Sequence, residues 1–160
     1  LKFVLNDTGY AEIYLNGENV ESAIRSLEVS NGASRVSTLP AVRKELVRQQ
    51  QQMGVEKGIV MDGRDIGTVV FPDAELKVFL TASPEIRAQR RMDELLQKGE
   101  QVSFKDVLAN VKERDYRDQN RKVSPLRKAE DAVLIDNSLM TLREQQKVIM
   151  ELFEQRVAAL

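Results

Sequence analysis

The sequence contains neither cysteine nor histidine. Without cysteine the chain has no disulfide, no thiolate nucleophile and no thiolate metal ligand. Without histidine it lacks the usual general base and the commonest nitrogen ligand for metal ions. These two absences argue against serine-triad, cysteine and zinc chemistry, and the sequence assigns no residue as a metal ligand.

Long apolar runs and an excess of one charge are also absent. The 24 Lys and Arg residues balance 25 Asp and Glu, for a net charge of −1, and only 5% of residues are aromatic. Such a chain lacks the broad positive field and the stacking rings of a nucleic-acid surface. It also lacks the roughly 18-residue apolar run of a membrane span and a signal-peptide pattern. We therefore expect a cytoplasmic protein that binds neither nucleic acid nor membranes.

The pattern of apolar residues predicts one α/β domain in 160 residues. Alternation over residues 1–20, with Leu1, Phe3 and Leu5 on one face, predicts an antiparallel hairpin. A helix is predicted to begin at Pro40 and to end near Gly54.

The second part of the chain alternates strand and helix patterns. Buried strands are predicted at residues 58–61, 76–82 and 132–136. Helices are predicted at 84–98, from Ser103 to Arg121, and from a cap at Thr141 onward, each with a capping residue before it. Strand, helix and strand in this order are typical of a parallel sheet with covering helices.

A polar loop with two glycines follows the first predicted strand of this part. Ligands bind beyond the carboxyl ends of strands in open α/β sheets, which is where Arg64 and Asp65 fall. Arg64 offers a planar fork for phosphate or carboxylate, and Asp65 accepts hydrogen bonds. A structural alternative is that Arg64 pairs with Asp62 or Asp65 and only braces the loop.

Two helices carry arginine clusters. Arg87, Arg90 and Arg91 share one helix face, and so do Arg114, Asp118 and Arg121. Residues 87–128 contain 12 Lys and Arg against 7 Asp and Glu, as expected of a segment that meets a polyanion. The alternative is that both are solvated helix faces with weak ion pairs.

Three segments resemble the bacterial cytidylate (CMP) kinase family. They are NGASRVSTLPAVRKELVRQQQ, IVMDGRDIGTVVFPDAELKVFLTASPEIRAQRR and VKERDYRDQNRKVSPLRKAEDAVLIDNS. The resemblance implies a P-loop kinase-type parallel sheet with covering helices, a small antiparallel β insert and a helical lid at about 90–121. It also implies that residues 1–53 form the nucleoside-monophosphate-binding insert with its following helix, and that 54–160 form the rest of the kinase core.

The same resemblance implies the reaction and its acceptor site. The reaction is transfer of the γ-phosphoryl group of ATP to CMP or dCMP, with Mg²⁺, by a monomer. Residues that match Ser34, Arg43 and Asp65 read the cytosine ring, and those that match Arg64 and Arg121 hold the acceptor phosphate as catalytic residues.

The remaining matches imply further nucleotide contacts. Arg114 and Asp118 match positions at the ribose and phosphate of the acceptor, and Arg90 and Arg91 match the start of the lid over the ATP phosphates. This chemistry agrees with the composition, because phosphoryl transfer needs positioning and cations more than histidine or cysteine.

One element of the family is absent from the sequence. The family's phosphate loop ends in Gly-Lys-Ser or Gly-Lys-Thr, and this chain has no Gly-Lys dipeptide and does not begin with Met. We expect a fragment that lacks the first strand and the P-loop, which would hold most of the ATP and Mg²⁺ contacts, and that is inactive alone. The alternative function is a non-catalytic fragment that binds CMP or a polyanion.

Overall fold

The computed structural model describes residues 2–159. The chain divides into two compact units, with the boundary between Arg43 and Lys44. The resemblance implies a different division, into residues 1–53 and 54–160. It concerns the roles of the two parts in ligand binding and stays a prediction.

The first unit begins with three antiparallel strands in the order β1-β2-β3. They are β1 (Lys2–Leu5), β2 (Ala11–Leu15) and β3 (Glu18–Asn19). Phe3 pairs with Ile13, which confirms the predicted hairpin, although Leu1 lies outside the described residues. The Asn6 side chain accepts hydrogen bonds from the backbone N–H groups of Thr8 and Tyr10 at 3.1 and 2.9 Å, and this fixes the turn.

Helices follow the small sheet. They are α1 (Leu27–Val36) and α2 (Pro40–Met53), and the boundary between the units falls within α2. Pro40 opens α2 as expected, because its missing N–H belongs to the first turn, where no helical partner exists. The predicted helix from Pro40 to near Gly54 is therefore confirmed.

After α2, the second unit contains a parallel pair of strands and three long helices. They are β4 (Val78–Thr81), α3 (Pro84–Gln97), α4 (Phe104–Asn120), β5 (Val133–Asp136) and α5 (Leu142–Ala158). β4 and β5 pair in parallel, so the mixed α/β class and the parallel sheet are confirmed to the extent of these two strands. None of the helices in the described part has the length and apolar character needed to cross a bilayer.

Each helix of the second unit after β4 begins at the expected cap. The hydroxyl oxygens of Ser83 and Ser103 accept hydrogen bonds from Ile86 and Asp106 N–H groups at 3.2 and 3.1 Å. Thr141 and Glu144 form a reciprocal capping box. These bonds satisfy N–H groups that have no partner within the helix.

One predicted strand is wrong. Residues 58–61 form no strand in the structure, and Val60 is 99% exposed. Strand geometry is held by hydrogen bonds to a neighbouring strand, and within residues 2–159 β4 and β5 pair only with each other. An apolar run without a paired neighbour therefore stays irregular. The strands at 76–82 and 132–136 form as β4 and β5, but only Ala82 and Ile135 in these ranges are buried, so their prediction as buried strands is wrong in that respect.

The apolar core of the second unit lies between α3 and α4. Ala88, Leu95 and Val107 are buried there, and α3 is followed by Gly99, whose φ of +81° favours glycine. At the end of α2, a Cβ on Gly54 would lie 2.4 Å from the ring of Phe71. The backbone at Gly54 thus approaches the ring more closely than any side chain permits.

Candidate active site

The loop after residue 61 ends in a π-helical turn, Ile66–Val70. The carbonyl of Asp65 accepts hydrogen bonds from the N–H groups of Val69 and Val70 at 2.9 and 3.2 Å. Such turns are rare and hold the residue before them in a backbone conformation that a regular helix would not give. Asp65 is only 3% exposed, so the turn fixes a buried carboxylate.

The C-terminal end of α4 carries two further buried charged groups. Asp118 and Arg121 lie one turn apart and both are buried. The Nε of Arg121 donates a hydrogen bond to the carbonyl oxygen of Ser124 at 2.6 Å, which holds the guanidinium where the helix ends. Their helical spacing thus places both side chains on one face of α4, as the sequence predicts.

Four residues meet at this point and are named the charged cluster: Arg64, Asp65, Asp118 and Arg121. The Nε of Arg64 donates to Oδ2 of Asp118 at 3.0 Å. The Nη2 of Arg121 lies 3.7 Å from Oδ1 of Asp65, and its Nη1 lies 3.8 Å from Oδ1 of Asp118. The alternative in which Arg64 pairs with Asp62 or Asp65 is therefore wrong, since its carboxylate partner is on α4.

The charged cluster combines buried and exposed charged groups. Burial removes the hydration of a charge, and the loss is offset only where short, directional hydrogen bonds replace it. The two contacts of Arg121 with carboxylates exceed the usual hydrogen-bond range of about 2.7–3.2 Å. The side chain of Arg64 is 49% exposed, so this guanidinium remains open to solvent and to a ligand.

Arg114 adds a further positive charge beside the cluster. Burial lowers the pKa of its guanidinium, and the positive charges of Arg64, Arg91 and Arg117 lower it further, whereas Asp118 raises it. Neighbouring cations repel one another and therefore gain from a shared anion. The second unit thus brings Arg64, Asp65, Asp118 and Arg121 together, with Arg114 within their field.

The arginines of α3 are directed elsewhere. Arg90 donates to Oδ1 of Asn137 at 3.1 Å and to the carbonyl oxygens of Asn137 and Met140 at 2.7 and 3.3 Å. Arg91 pairs with Glu94 at 2.7 Å. Both guanidinium groups thus hold local contacts, and their roles at ATP stay predictions.

Ser34 and Arg43 belong to the first unit. Ser34 lies on α1 and Arg43 on α2, and both are buried. The carbonyl of Ser34 accepts a hydrogen bond from the Ser37 hydroxyl at 2.9 Å. The role of both residues in reading cytosine stays a prediction.

The local excess of basic residues does not produce an open basic face on α3 and α4. Several of the basic side chains there pair with carboxylates: Arg87 with Asp115, Arg91 with Glu94, Lys112 with Glu85, and Arg117 with Glu113. A surface for a long polyanion presents cations that are available to phosphates. These pairs agree with the alternative of helix faces that carry ion pairs, and binding of a polyanion stays a prediction.

Sequence reasoning missed one pair, Arg87 and Asp115. Spacing places Arg87 with Arg90 and Arg91, but its guanidinium turns to Asp115 of α4, 28 residues away. No local pattern signals a pair of this separation. Within residues 2–159, no group of three or more Asp, Glu, His or Cys side chains is arranged to hold a metal ion.

Comparison with protein families gives one match over most of the chain. A family model described as "Cytidylate kinase" matches residues 2–155. This range includes both units and every residue of the charged cluster.

Similar proteins have the same description. A "Cytidylate kinase" of Bacteroides thetaiotaomicron is 60% identical over 147 residues, which are 92% of this chain and 64% of that protein. One of Flavobacterium johnsoniae is 61% identical over 153 residues, 95% of this chain and 66% of that protein. One of Parabacteroides distasonis is 57% identical over 160 residues, 99% of this chain and 70% of that protein. The chain thus spans about two thirds of the length of these relatives.

Proposed function

Since the chain belongs to the cytidylate kinase family, we propose that the full-length protein transfers the γ-phosphoryl group of ATP to CMP or dCMP. The products are CDP or dCDP and ADP. The name of the relatives supports the class of reaction, and the charged cluster supports the class of acceptor, a phosphate monoester.

The observation that carries the proposal is the convergence of Arg64 and Arg121 on two carboxylates, Asp65 and Asp118, at the end of α4. The Arg121 guanidinium lies 3.7 and 3.8 Å from those carboxylates, so its charge is close to both. A phosphate offers oxygens that match the planar fork of a guanidinium. Arg64 and Arg121 then hold the acceptor phosphate, and Asp118 orients Arg64.

Positioning and charge account for the chemical step. An oxygen of the acceptor phosphate attacks the γ-phosphorus of ATP, and the bond from that phosphorus to the bridging oxygen of ADP breaks. Two arginines that fix the acceptor phosphate in line with the γ-phosphate remove much of the entropic barrier. They also reduce the repulsion between the two anionic reactants, because their charge lies close to both.

Recognition of the base and of ATP rests on the resemblance. Ser34, Arg43 and Asp65 supply a hydroxyl, donors and an acceptor, the groups that distinguish cytosine from uracil. Their roles stay predictions, as do those of Arg90 and Arg91 at ATP. The family implies Mg²⁺ with ATP, but residues 2–159 contain no group of three or more Asp, Glu, His or Cys placed to hold an ion, so we assign no ligand and derive no step through it.

A coupled phosphotransfer assay of the full-length protein tests the proposal, with CMP, dCMP, UMP and AMP compared at fixed ATP. We expect kcat/KM for CMP and dCMP to exceed that for UMP by at least tenfold, because uracil presents a carbonyl where cytosine presents an amine. Equal kcat/KM for UMP would show that the base-reading residues are wrongly assigned. Absence of transfer to all four nucleotides would overturn the proposed function.

A further inference from the structure

Arg87 joins the end of a strand to a helix that carries the charged cluster. Its Nε donates to the carbonyl oxygen of Ala82 at 3.0 Å. Its Nη1 and Nη2 donate to the two carboxylate oxygens of Asp115 at 2.8 and 2.6 Å. A guanidinium whose Nε donates to a carbonyl oxygen and whose two Nη atoms donate to one carboxylate is held in position by three directional hydrogen bonds.

One partner of Arg87 lies at the end of β4, and the other lies on α4. Ala82 directly follows β4 and is buried. Asp115 lies on α4 next to Arg114 and one turn before Asp118. The bonds of Arg87 therefore connect the carboxyl end of β4 to the turn of α4 that precedes the charged cluster.

We propose that Arg87 is a positioning residue that fixes α4 relative to the end of β4 and so holds Asp118 and Arg121 opposite Arg64 and Asp65. The positional part stands on the contacts alone, and the catalytic consequence rests on the proposed function. A shift of α4 along its axis would lengthen the 3.0 Å bond between Arg64 and Asp118. Displacements of about 1 Å in such sites can cost on the order of 10²-fold in rate.

A purely stabilising role for Arg87 makes a different prediction. The apolar contacts of Ala88, Leu95 and Val107 already join α3 to α4. If Arg87 only adds to the stability of this contact, removal of another ion pair between the two helices should have the same effect as removal of Arg87. Lys112 and Glu85 form such a pair, with Nζ and Oε1 3.1 Å apart and both side chains 55% exposed. Lys112→Gln is therefore the matched control, because it removes a cation from the same interface.

Two variants remove the bonds of Arg87 with little change in volume. Arg87→Lys keeps the charge, but one ammonium cannot reach the carbonyl and both carboxylate oxygens in the geometry of the fork. Asp115→Asn keeps the shape and removes the charge of the acceptor. The double variant Arg87→Lys/Asp115→Asn tests whether the two residues act as a unit.

The first measurement is amide hydrogen exchange of the full-length protein, and it needs no substrate. We expect exchange in residues 113–121 to accelerate several-fold in Arg87→Lys and Asp115→Asn, with little change in Lys112→Gln. Unchanged exchange in the Arg87 and Asp115 variants, or equal acceleration in Lys112→Gln, overturns the positional part.

The second measurement is the phosphotransfer assay with melting curves. We expect kcat to fall by on the order of 10-fold in Arg87→Lys and in Asp115→Asn. The KM for CMP should change less than kcat, and the double variant should lose little more than either single variant. Lys112→Gln should stay within twofold of the unmodified protein. A fall in melting temperature with unchanged kcat would show a role in stability alone and overturn the catalytic part. If the unmodified protein does not phosphorylate CMP, the proposed function fails, whereas hydrogen exchange still decides the positional part.

Discussion

The charged residues of the second unit are arranged in two different ways. On the helices, ion pairs are partly exposed and reachable by water, as in Arg91 with Glu94 at 2.7 Å and Lys147 with Glu151 at 3.8 Å. In the charged cluster, Arg121 lies 3.7 and 3.8 Å from its carboxylates and is almost fully buried with them. Exposed short pairs contribute little to stability, and buried pairs without ideal geometry contribute little or oppose it.

This difference indicates what each arrangement does. The helix pairs neutralise α3 and α4 and orient their faces, and the apolar core between the helices holds them together. The charged cluster instead brings together four charged groups, of which Asp65, Asp118 and Arg121 are buried. Four experiments test this comparison, and they are given in order of decreasing expected effect on stability or activity.

Replacement of Arg121 by Met should have the largest effect. It leaves Asp65 and Asp118 buried without their shared cation, so we expect a loss of about 3–5 kcal/mol in the free energy of unfolding. The kcat/KM for CMP should fall by on the order of 10²-fold or more. Urea unfolding and the phosphotransfer assay measure the two effects. The double variant Arg121→Met/Asp118→Asn should regain part of the stability and none of the activity; full activity in either variant contradicts the cluster's role.

Leu95→Ala tests whether apolar contact, and not charge, joins α3 to α4. Leu95 is fully buried, so we expect the free energy of unfolding to fall by about 2–5 kcal/mol. The neighbouring Leu96, 49% exposed, gives a matched control, and Leu96→Ala should cost well under half as much. Similar urea midpoints for the two variants would show that the core of the helix pair is elsewhere.

Arg64→Ala separates activity from stability within the charged cluster. This guanidinium is half-exposed but its partner Asp118 is buried, so its loss should lower the free energy of unfolding by less than the loss of the buried Arg121 does. We expect kcat/KM for CMP to fall by on the order of 10²-fold, since the acceptor phosphate loses one of its two arginines. Arg48→Ala removes an equally exposed cation that pairs with Glu45 and should leave kcat/KM unchanged. An equal effect of the two variants would indicate a general effect of charge.

The smallest effect concerns the exposed pair of Glu45 and Arg48. A side-chain hydrogen bond from Arg48, with a second from Gln49, lowers the pKa of Glu45 from 4.5 to about 2. A lowered folded-state pKa contributes stability that is present above pH 4.5 and is lost as pH falls through about 2. Since the pair is exposed, this contribution is small.

Carboxyl NMR titration measures that pKa directly. Arg48→Ala should return the pKa of Glu45 toward 4.5. It should leave Glu144 unchanged, because the lowered pKa of Glu144 comes from bonds with Thr141. A Glu45 pKa near 4.5 in the unmodified protein would show that the pair does not persist in solution.

Features with local signals were predictable from the sequence. Ser83 with Pro84, Ser103 with Asp106, and Thr141 with Glu144 mark helix starts within four residues, and all three helices begin there. Pairing of strands is not local. Residues 58–61 have a strand-like composition but form no strand, because no strand pairs with them within residues 2–159. The prediction failed because no residue of the sequence itself signals which segment lies beside it.

The charged cluster was predictable in part. Helical spacing places Arg114, Asp118 and Arg121 on one face, and the resemblance groups them with Arg64 and Asp65. The bond between Arg64 and Asp118 spans 54 residues, and the alternative that spacing left open, a pair with Asp62 or Asp65, is wrong. Arg87 shows the same limit, because its side chain reaches back to Ala82 and across to Asp115 while Arg90, one turn later, turns to Asn137.

The close approach of Gly54 to the Phe71 ring couples two positions in the design of variants. Any side chain at 54 overlaps the ring, starting with a Cβ at 2.4 Å, so a library that varies 54 alone returns only glycine at full stability. A smaller residue at 71 opens that space but removes the ring from its contact. The two positions therefore have to be varied together. The side chains tolerated at the end of α2 depend on Phe71, which lies beyond the π-helical turn.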